Sequence, residues 1–203
     1  TLPESLVESE LFGHERGAFS DARERKLGLV ELAHEGTLFL DEIGDLSLGA
    51  QAKLLTFLEQ RTFRRVGGTA QRRVETRVVA ATNRDLPAMI RERQFRGDLW
   101  YRLNVMTVRL PPLRERLEDI GLLAQHFLLQ SNREFGRRWT GVSPEAEAVL
   151  RGQPWPGNVR ELRAVISRAA LLHDDKLLRP QHLPAALAGS APERKGASPS
   201  VSS

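Results

Sequence analysis

The chain contains no cysteine, so neither a disulfide framework nor a zinc site built on thiolates can exist in it. Long apolar runs are missing too. No stretch approaches the roughly 18 apolar residues that cross a membrane, and no charged-then-apolar leader opens the chain. The expectation is a cytoplasmic protein with no membrane partner. There is no long basic block and acids are interspersed among the bases, so charge alone makes no case for nucleic acid. No internal repeat is visible.

What is present fits one domain, or one domain with a small satellite, in 203 residues. Forty per cent of the residues are apolar and 28 % charged, enough for a core on an ordinary surface. The net charge is only +4, yet the isoelectric point is about 10.1. Arginine far outnumbers lysine and stays charged to high pH. Arginine suits bidentate phosphate recognition, but a compositional bias explains the excess equally well.

Periodicity divides the chain. Glu4 to Phe12 is helix-like, and residues 13–22 read as a loop around an exposed Phe19. Leu27 to Ala33 suits a short helix. Thr37 to Leu40 is a continuous apolar run ending at Asp41-Glu42, the pattern of a strand buried on both faces of a parallel sheet. Ser47 can cap a helix bearing Leu48, Ala52, Leu55 and Leu58. Thr62–Val66 and Gln71–Val74 flank Gly67-Gly68 as a hairpin. Thr76 to Asn83 predicts a second buried strand and Val105 to Leu110 a third, with short helices at Leu86–Arg93 and Gly97–Arg102 between them. Pro111-Pro112 ends the third strand. Beyond it the pattern is helical: Leu117–Glu134, a helix opened by Ser143-Pro144, and one opened by Asn158 with Glu161 completing a variant capping box. Low-complexity sequence follows Leu187, with little that can pack. The resulting domains are an α/β part at 1–112, a helical part at 113–188 and a disordered tail at 189–203.

Several residues can carry chemistry. Asp41 and Glu42 at a strand's carboxyl end suit nucleotide hydrolysis, one acid for Mg²⁺ and one for the attacking water. A strand that merely ends in solvated acids looks the same. Asn83 ends the second strand and would stand near the same rim, where it can position water or simply form a turn. Arg96 and Arg102 are solvated surface arginines or arginine fingers. Arg160 lies in the first turn of a helix, where the dipole disfavours a cation without an anionic partner. A phosphate would serve, and so would Glu161.

Order and spacing add what no single residue gives. Glu10-Leu11-Phe12-Gly13-His14-Glu15-Arg16-Gly17-Ala18-Phe19, Gly36-Thr37-Leu38-Phe39-Leu40-Asp41-Glu42-Ile43-Gly44, Phe95-Arg96 through Asn104-Val105, Leu110-Pro111-Pro112-Leu113-Arg114-Glu115-Arg116 and Trp155-Pro156-Gly157-Asn158-Val159-Arg160-Glu161-Leu162 form five blocks in sequence. They resemble the signature blocks of sigma-54-dependent transcriptional activators over about residues 2 to 187. The resemblance implies an AAA+ P-loop NTPase-like parallel sheet followed by a small all-α lid. It implies ATP and Mg²⁺ as cofactors, sigma-54 RNA polymerase holoenzyme as partner, and self-assembly into a ring, usually a hexamer. It casts Asp41 and Glu42 as the Walker B pair, Asn83 as the first sensor, Arg96 and Arg102 as arginine fingers acting on a neighbour, and Arg160 as the second sensor. Gly36 and Thr37 join the nucleotide site. Gly17, Ala18, Phe19, Ser20, Asp21 and Ala22 become the loop that touches sigma-54.

The chain also departs from that pattern. No G-x-x-x-x-G-K-[ST] string occurs in it, so the P-loop cradle and its lysine are not among these residues. The expectation is a fragment of a longer ATPase, inactive alone, or a catalytically silent interaction module. The contact loop reads Gly-Ala-Phe-Ser-Asp-Ala in place of the family's Gly-Ala-Phe-Thr-Gly-Ala, so Asp21 adds charge and restricts the backbone. No helix-turn-helix follows the lid, so DNA contact is expected only through a domain absent from this chain.

Overall fold

The structure is a computed structural model that describes residues 4–183. The expected tail at 189–203 and the last residues of the expected helical part lie outside the described residues. In chain order the elements are α1 (Glu4–Phe12), β1 (Gly13–His14), β2 (Lys26–Leu27), α2 (Leu29–Leu32), β3 (Thr37–Leu40), α3 (Leu48–Gln60), β4 (Thr62–Phe63), β5 (Arg72–Arg73), β6 (Arg77–Ala80), α4 (Leu86–Arg91) and α5 (Gly97–Leu103). Then come α6 (Asp119–Phe135), β7 (Gly141–Val142), α7 (Pro144–Arg151), α8 (Asn158–Leu172) and β8 (Leu177–Leu178). Residue contacts divide the chain into Thr1–Val108 and Arg109–Ser203.

In the first unit the short apolar runs of β3 and β6 pair in parallel, Thr37 opposite Arg77 and Leu40 opposite Ala80. The connection between them carries α3, as parallel pairing requires. Leu38 and Leu40 join Phe12, Val30, Leu54 and Phe57 in one core. The expectation that β3 is buried on both faces is wrong. Its burial alternates, and Phe39 on the other face is 59 % exposed. A parallel sheet needs cover on both sides, and the described residues cover only one. The third predicted strand is also absent. Val105 to Leu110 forms no ladder, and Val105 is 86 % exposed. An alternating pattern becomes a strand only where a neighbouring edge takes its backbone groups.

Helix α3 starts at Ser47 as predicted, with the Ala50 amide donating to Ser47 Oγ at 3.2 Å. Of the expected stripe only Leu58 is fully buried. Ala50, Gln51, Leu54, Phe57 and Leu58 are buried, whereas Leu48 is exposed. The hairpin forms as β4 and β5. Gly28 shows why glycine stands beside β2: a Cβ there would lie 2.3 Å from the Gly13 nitrogen.

The second unit buries Leu113, Ile120, Ala124, Leu128, Leu150, Leu162, Ile166 and both Trp139 and Trp155 in a separate core. Ser143 caps α7 as read from sequence, accepting from the Ala146 amide at 3.2 Å. The cap of α8 differs from the prediction. Gly157, not Asn158, is the capping residue, and the Glu161 carboxylate accepts its amide at 2.8 Å. Asn158, at φ 51°, turns its Oδ1 to the Leu113 amide at 2.8 Å. Its side chain thus staples two segments of the unit together and leaves the helix end to Glu161.

The end of this unit carries a buried histidine. His182 is 6 % exposed and accepts the Arg179 amide on Nδ1 at 3.1 Å. Its ring meets Trp139 edge-on at 5.5 Å and lies 4.9 Å from His173. Burial, and then the neighbouring His173, hold its pKa below the ordinary 6.5; Asp175 opposes this and Arg179 adds to it. The unfolded chain therefore takes up a proton that the folded one resists. Stability is complete above about pH 6.5 and falls as pH drops through that value. We expect the melting temperature to decline from pH 7 to 5, and His182→Asn, which keeps an acceptor but cannot titrate, to flatten that decline. An equal decline in the variant would place the sensitivity elsewhere.

Candidate functional site

Parallel pairing of β3 and β6 carries both strands to one rim. The Ala81 amide donates to Leu40 O at 2.8 Å, and the Ile43 amide to Ala81 O at 3.0 Å. Asp41-Glu42 and Asn83 thus leave adjacent strands side by side, all exposed. Asp41 Oδ1 accepts the Glu42 amide at 3.0 Å. Glu42 itself adopts φ 51° and ψ 45°, a left-handed conformation that costs a non-glycine residue about 1 kcal/mol. This kink starts the 3-10 turn Ile43–Asp45 and aims two successive carboxylates past the strand end. The turn is tied to the next strand end by Arg84, which contacts Asp45 at 2.5 Å.

Gly36 and Thr37 are not at this rim. They stand at the amino end of β3, and at about 3.3 Å per residue Thr37 is roughly 13 Å from Asp41. Gly36 O instead accepts the Thr76 hydroxyl and the Arg77 amide, a structural role. Their assignment to the nucleotide site is therefore corrected.

Both finger candidates are engaged within the chain. Arg96 caps α5 and holds Asp98 by a two-pronged contact, Nε to Oδ1 at 3.0 Å and Nη2 to Oδ2 at 2.7 Å. That hydrogen bonding keeps the Asp98 carboxyl below its ordinary value. Arg102 donates to the Leu58 carbonyl, near the end of α3, at 3.2 Å. In the second unit Arg160 is exposed in the first turn of α8, and among the described residues no carboxylate pairs with it. Glu161, the intramolecular candidate, is committed to the Gly157 amide.

Residues 13–22 form a loop built on its own backbone and on the hairpin. The Gly17 amide donates to Ala22 O at 2.8 Å, and the Glu15 amide to Val66 O at 3.0 Å. Gly67 lies so close that a Cβ would meet the Ala18 Cβ at 2.7 Å. Phe19 is half-buried, contrary to expectation, because its ring rests edge-on against His14 at 4.9 Å. Asp21 takes an ordinary backbone conformation; within residues 13–22 only Gly13 and Gly17 have positive φ. Its replacement of a glycine therefore adds charge without strain.

Beneath the loop lies a buried ionic knot that the sequence did not announce. Arg65 is 3 % exposed. It grips Glu31 through Nε at 3.1 Å and Nη2 at 2.7 Å, and Glu15 through Nη1 at 2.8 Å. Burial alone would loosen its proton, but the hydrogen bonds it donates to Glu31 and Glu15 outweigh this and raise its pKa. An arginine flanking a predicted hairpin glycine pair, with glutamates 34 and 50 residues upstream, gives no local signal.

Residues 1–109 match the sigma-54 interaction domain and residues 114–200 the AAA+ ATPase lid domain. The chain belongs to the sigma-54 interaction domain family. It is 52 % identical over 183 residues to regulatory protein AtoC of Escherichia coli K12, covering 90 % of this chain and 40 % of AtoC. It is 52 % identical over 191 residues to the alginate biosynthesis transcriptional regulatory protein AlgB of Pseudomonas aeruginosa, covering 94 % and 42 %. The crystal structure of Brucella abortus NtrX in complex with ATP superposes with a TM-score of 0.81 at 36 % identity, covering 97 % of this chain and 43 % of NtrX. The chain thus spans about two fifths of the length of these relatives. Its architecture is that of the family, an α/β AAA+ part with a parallel sheet followed by a helical lid.

Proposed function

We propose that this AAA+ domain of a sigma-54-dependent activator supplies the hydrolytic acids, trans-acting arginines and contact loop of a ring ATPase that remodels sigma-54 RNA polymerase. The observation that carries the reading is the parallel β3–β6 register, which delivers Asp41, Glu42 and Asn83 to one rim.

The oxygen donors at the rim suit a hard divalent cation and ATP phosphates. Among the described residues no three His, Cys, Asp or Glu side chains cluster to hold a metal. Asp41 would therefore share Mg²⁺ with phosphate and water, the usual manner for that ion. Bound Mg²⁺ neutralises charge on the phosphates. Glu42 orients the attacking water and accepts its proton, and Asn83 holds that water or the terminal phosphate. In a hexameric ring of the kind the family resemblance implies, Arg96 leaves Asp98 and Arg102 leaves Leu58 O to meet a neighbour's nucleotide. Arg160, without a carboxylate partner, suits a phosphate on the lid. Phe19, perched on His14, offers the apolar contact to sigma-54. DNA contact falls to residues outside this chain.

A second reading is favoured by one observation: the 203 residues contain no G-x-x-x-x-G-K-[ST] string. A chain that joins a ring without turning over ATP would act as an interaction module. Mg²⁺-ATP hydrolysis by the chain over a concentration series, with Glu42→Gln as the blank, separates the two. The ATPase reading expects turnover that rises with concentration and falls by about 10² or more in Glu42→Gln. Ring assembly with no turnover supports the module.

A further inference from the structure

A fully buried glutamine on the α3 core face belongs to neither the acids nor the arginines, yet it bonds the backbone at the end of the turn that follows the acids and at Arg96 itself. Gln51 is 0 % exposed. Its Nε2 donates to Leu46 O at 2.8 Å and to Gln94 O at 3.1 Å. Its Oε1 accepts the Arg96 amide at 2.9 Å. Two carbonyls face the nitrogen and one N–H faces the oxygen, so the amide has only one satisfying orientation. Both amide protons and the oxygen are used.

The partners are far apart in sequence and pointed in function. Leu46 closes the 3-10 turn that begins at Glu42. Gln94 and Arg96 form the entry to α5, with Arg96 as its capping residue and Arg102 in its last turn. No backbone hydrogen bond runs directly between residues 42–46 and 94–96 among the described residues. One rigid, buried side chain therefore joins the turn holding the acids to the start of the helix holding both arginines. A fully satisfied buried amide holds its partners in one arrangement, because breaking any bond strands a polar group.

We propose that Gln51 is a positioning residue that couples the Glu42–Leu46 turn to the arginine-bearing helix α5, so that a shift at the acids is transmitted to Arg96 and Arg102. This rests on the ATPase reading for its purpose, but not for its test. The coupling has a backbone readout that needs no nucleotide.

The experiment measures amide hydrogen exchange at Arg96 by nuclear magnetic resonance in the full 203-residue chain. The turn is perturbed by Asp45→Asn, which weakens its tie to Arg84. In the wild-type background this should speed Arg96 exchange by about fivefold, the low end of ordinary coupling between sites. In Gln51→Met, which fills the same space without hydrogen bonds, Arg96 exchange should already be fast, and Asp45→Asn should add nothing. A packing role alone would leave Met equivalent to Gln. Should Gln51→Met fail to fold, Gln51→Glu at pH 8 serves: it keeps the acceptor for Arg96 and loses the donor to Leu46. Arg96 should then stay protected and ignore Asp45→Asn. An equal response to Asp45→Asn with and without Gln51, or no response in either, overturns the proposal. In a preparation that hydrolyses ATP, Gln51→Met should lower kcat about tenfold with KM changed less than about twofold, the signature of lost alignment. Failure of hydrolysis in wild type would count against the ATPase reading and leave the exchange result to decide this one.

Discussion

Arg65→Met should destabilise residues 1–108 by about 3–5 kcal/mol, the cost of removing one partner from a buried ion cluster. The guanidinium is almost wholly enclosed and its hydrogen bonds go to two carboxylates. Methionine fills the space but leaves Glu31 and Glu15, among the described residues, with Arg72 as their remaining cation, at 3.5 and 3.9 Å. Denaturant unfolding of the chain should show the loss as a lower midpoint. The effect is also local. Glu15 lies in the loop of residues 13–22, and its backbone pairs with Val66, so the loop loses its floor. Limited proteolysis should cut within residues 13–22 faster than in wild type before global unfolding. Glu31→Gln, which keeps hydrogen-bond acceptance at reduced charge, should cost less. An unchanged midpoint in Arg65→Met would mean that Arg72 and water compensate Glu31 and Glu15 as well as Arg65 does.

Trp155→Ala should cost the second unit about 3–5 kcal/mol. The indole is 1 % exposed, and its N–H donates to Leu150 O at 2.8 Å. Truncation opens a cavity in the core that holds Leu150, Leu162 and Ile166 and removes one hydrogen bond to that carbonyl, which keeps the Gln153 amide at 3.2 Å. Unfolding followed through the fluorescence of Trp139, in the same core, should shift to lower denaturant. Trp155→Phe, retaining most of the volume, should recover over half of the loss. Equal midpoints for the alanine variant and wild type would show that the unit collapses around the gap.

Much of this architecture was legible because short signals agreed with one another. An apolar run ending in two acids identified β3 and its rim, and Gly67-Gly68 between β-prone runs identified the hairpin. Ser47 and Ser143 stood where caps belong, and the helical spacing of Leu162, Ile166 and Ala169 gave the face of α8. The misses share a cause in tertiary pairing. Leu48, Ala52, Leu55 and Leu58 make a plausible stripe for α3, but of these only Leu58 is fully buried, and the core face runs through Ala50, Leu54 and Phe57. Gln51 interrupts that face, so a polar residue within a core stripe hides it from the hydrophobic pattern. Val105–Leu110 had strand alternation but no edge to join. Gly36 and Thr37 were drawn to the nucleotide by lying in one motif with Asp41, although a strand's rise separates them. Arg65 gave no warning, since its partners are brought to it only by folding.

On the proposed role, Glu42 sets stability against chemistry at one residue. Its left-handed backbone suits glycine or asparagine better than glutamate, so the fold alone would choose another side chain there. A lineage selected only to stay folded would drift away from glutamate at this turn, and one selected for the proposed turnover would bear the strain. On that reading the identity of residue 42 separates the two histories, in a conformation that the side chain does not prefer.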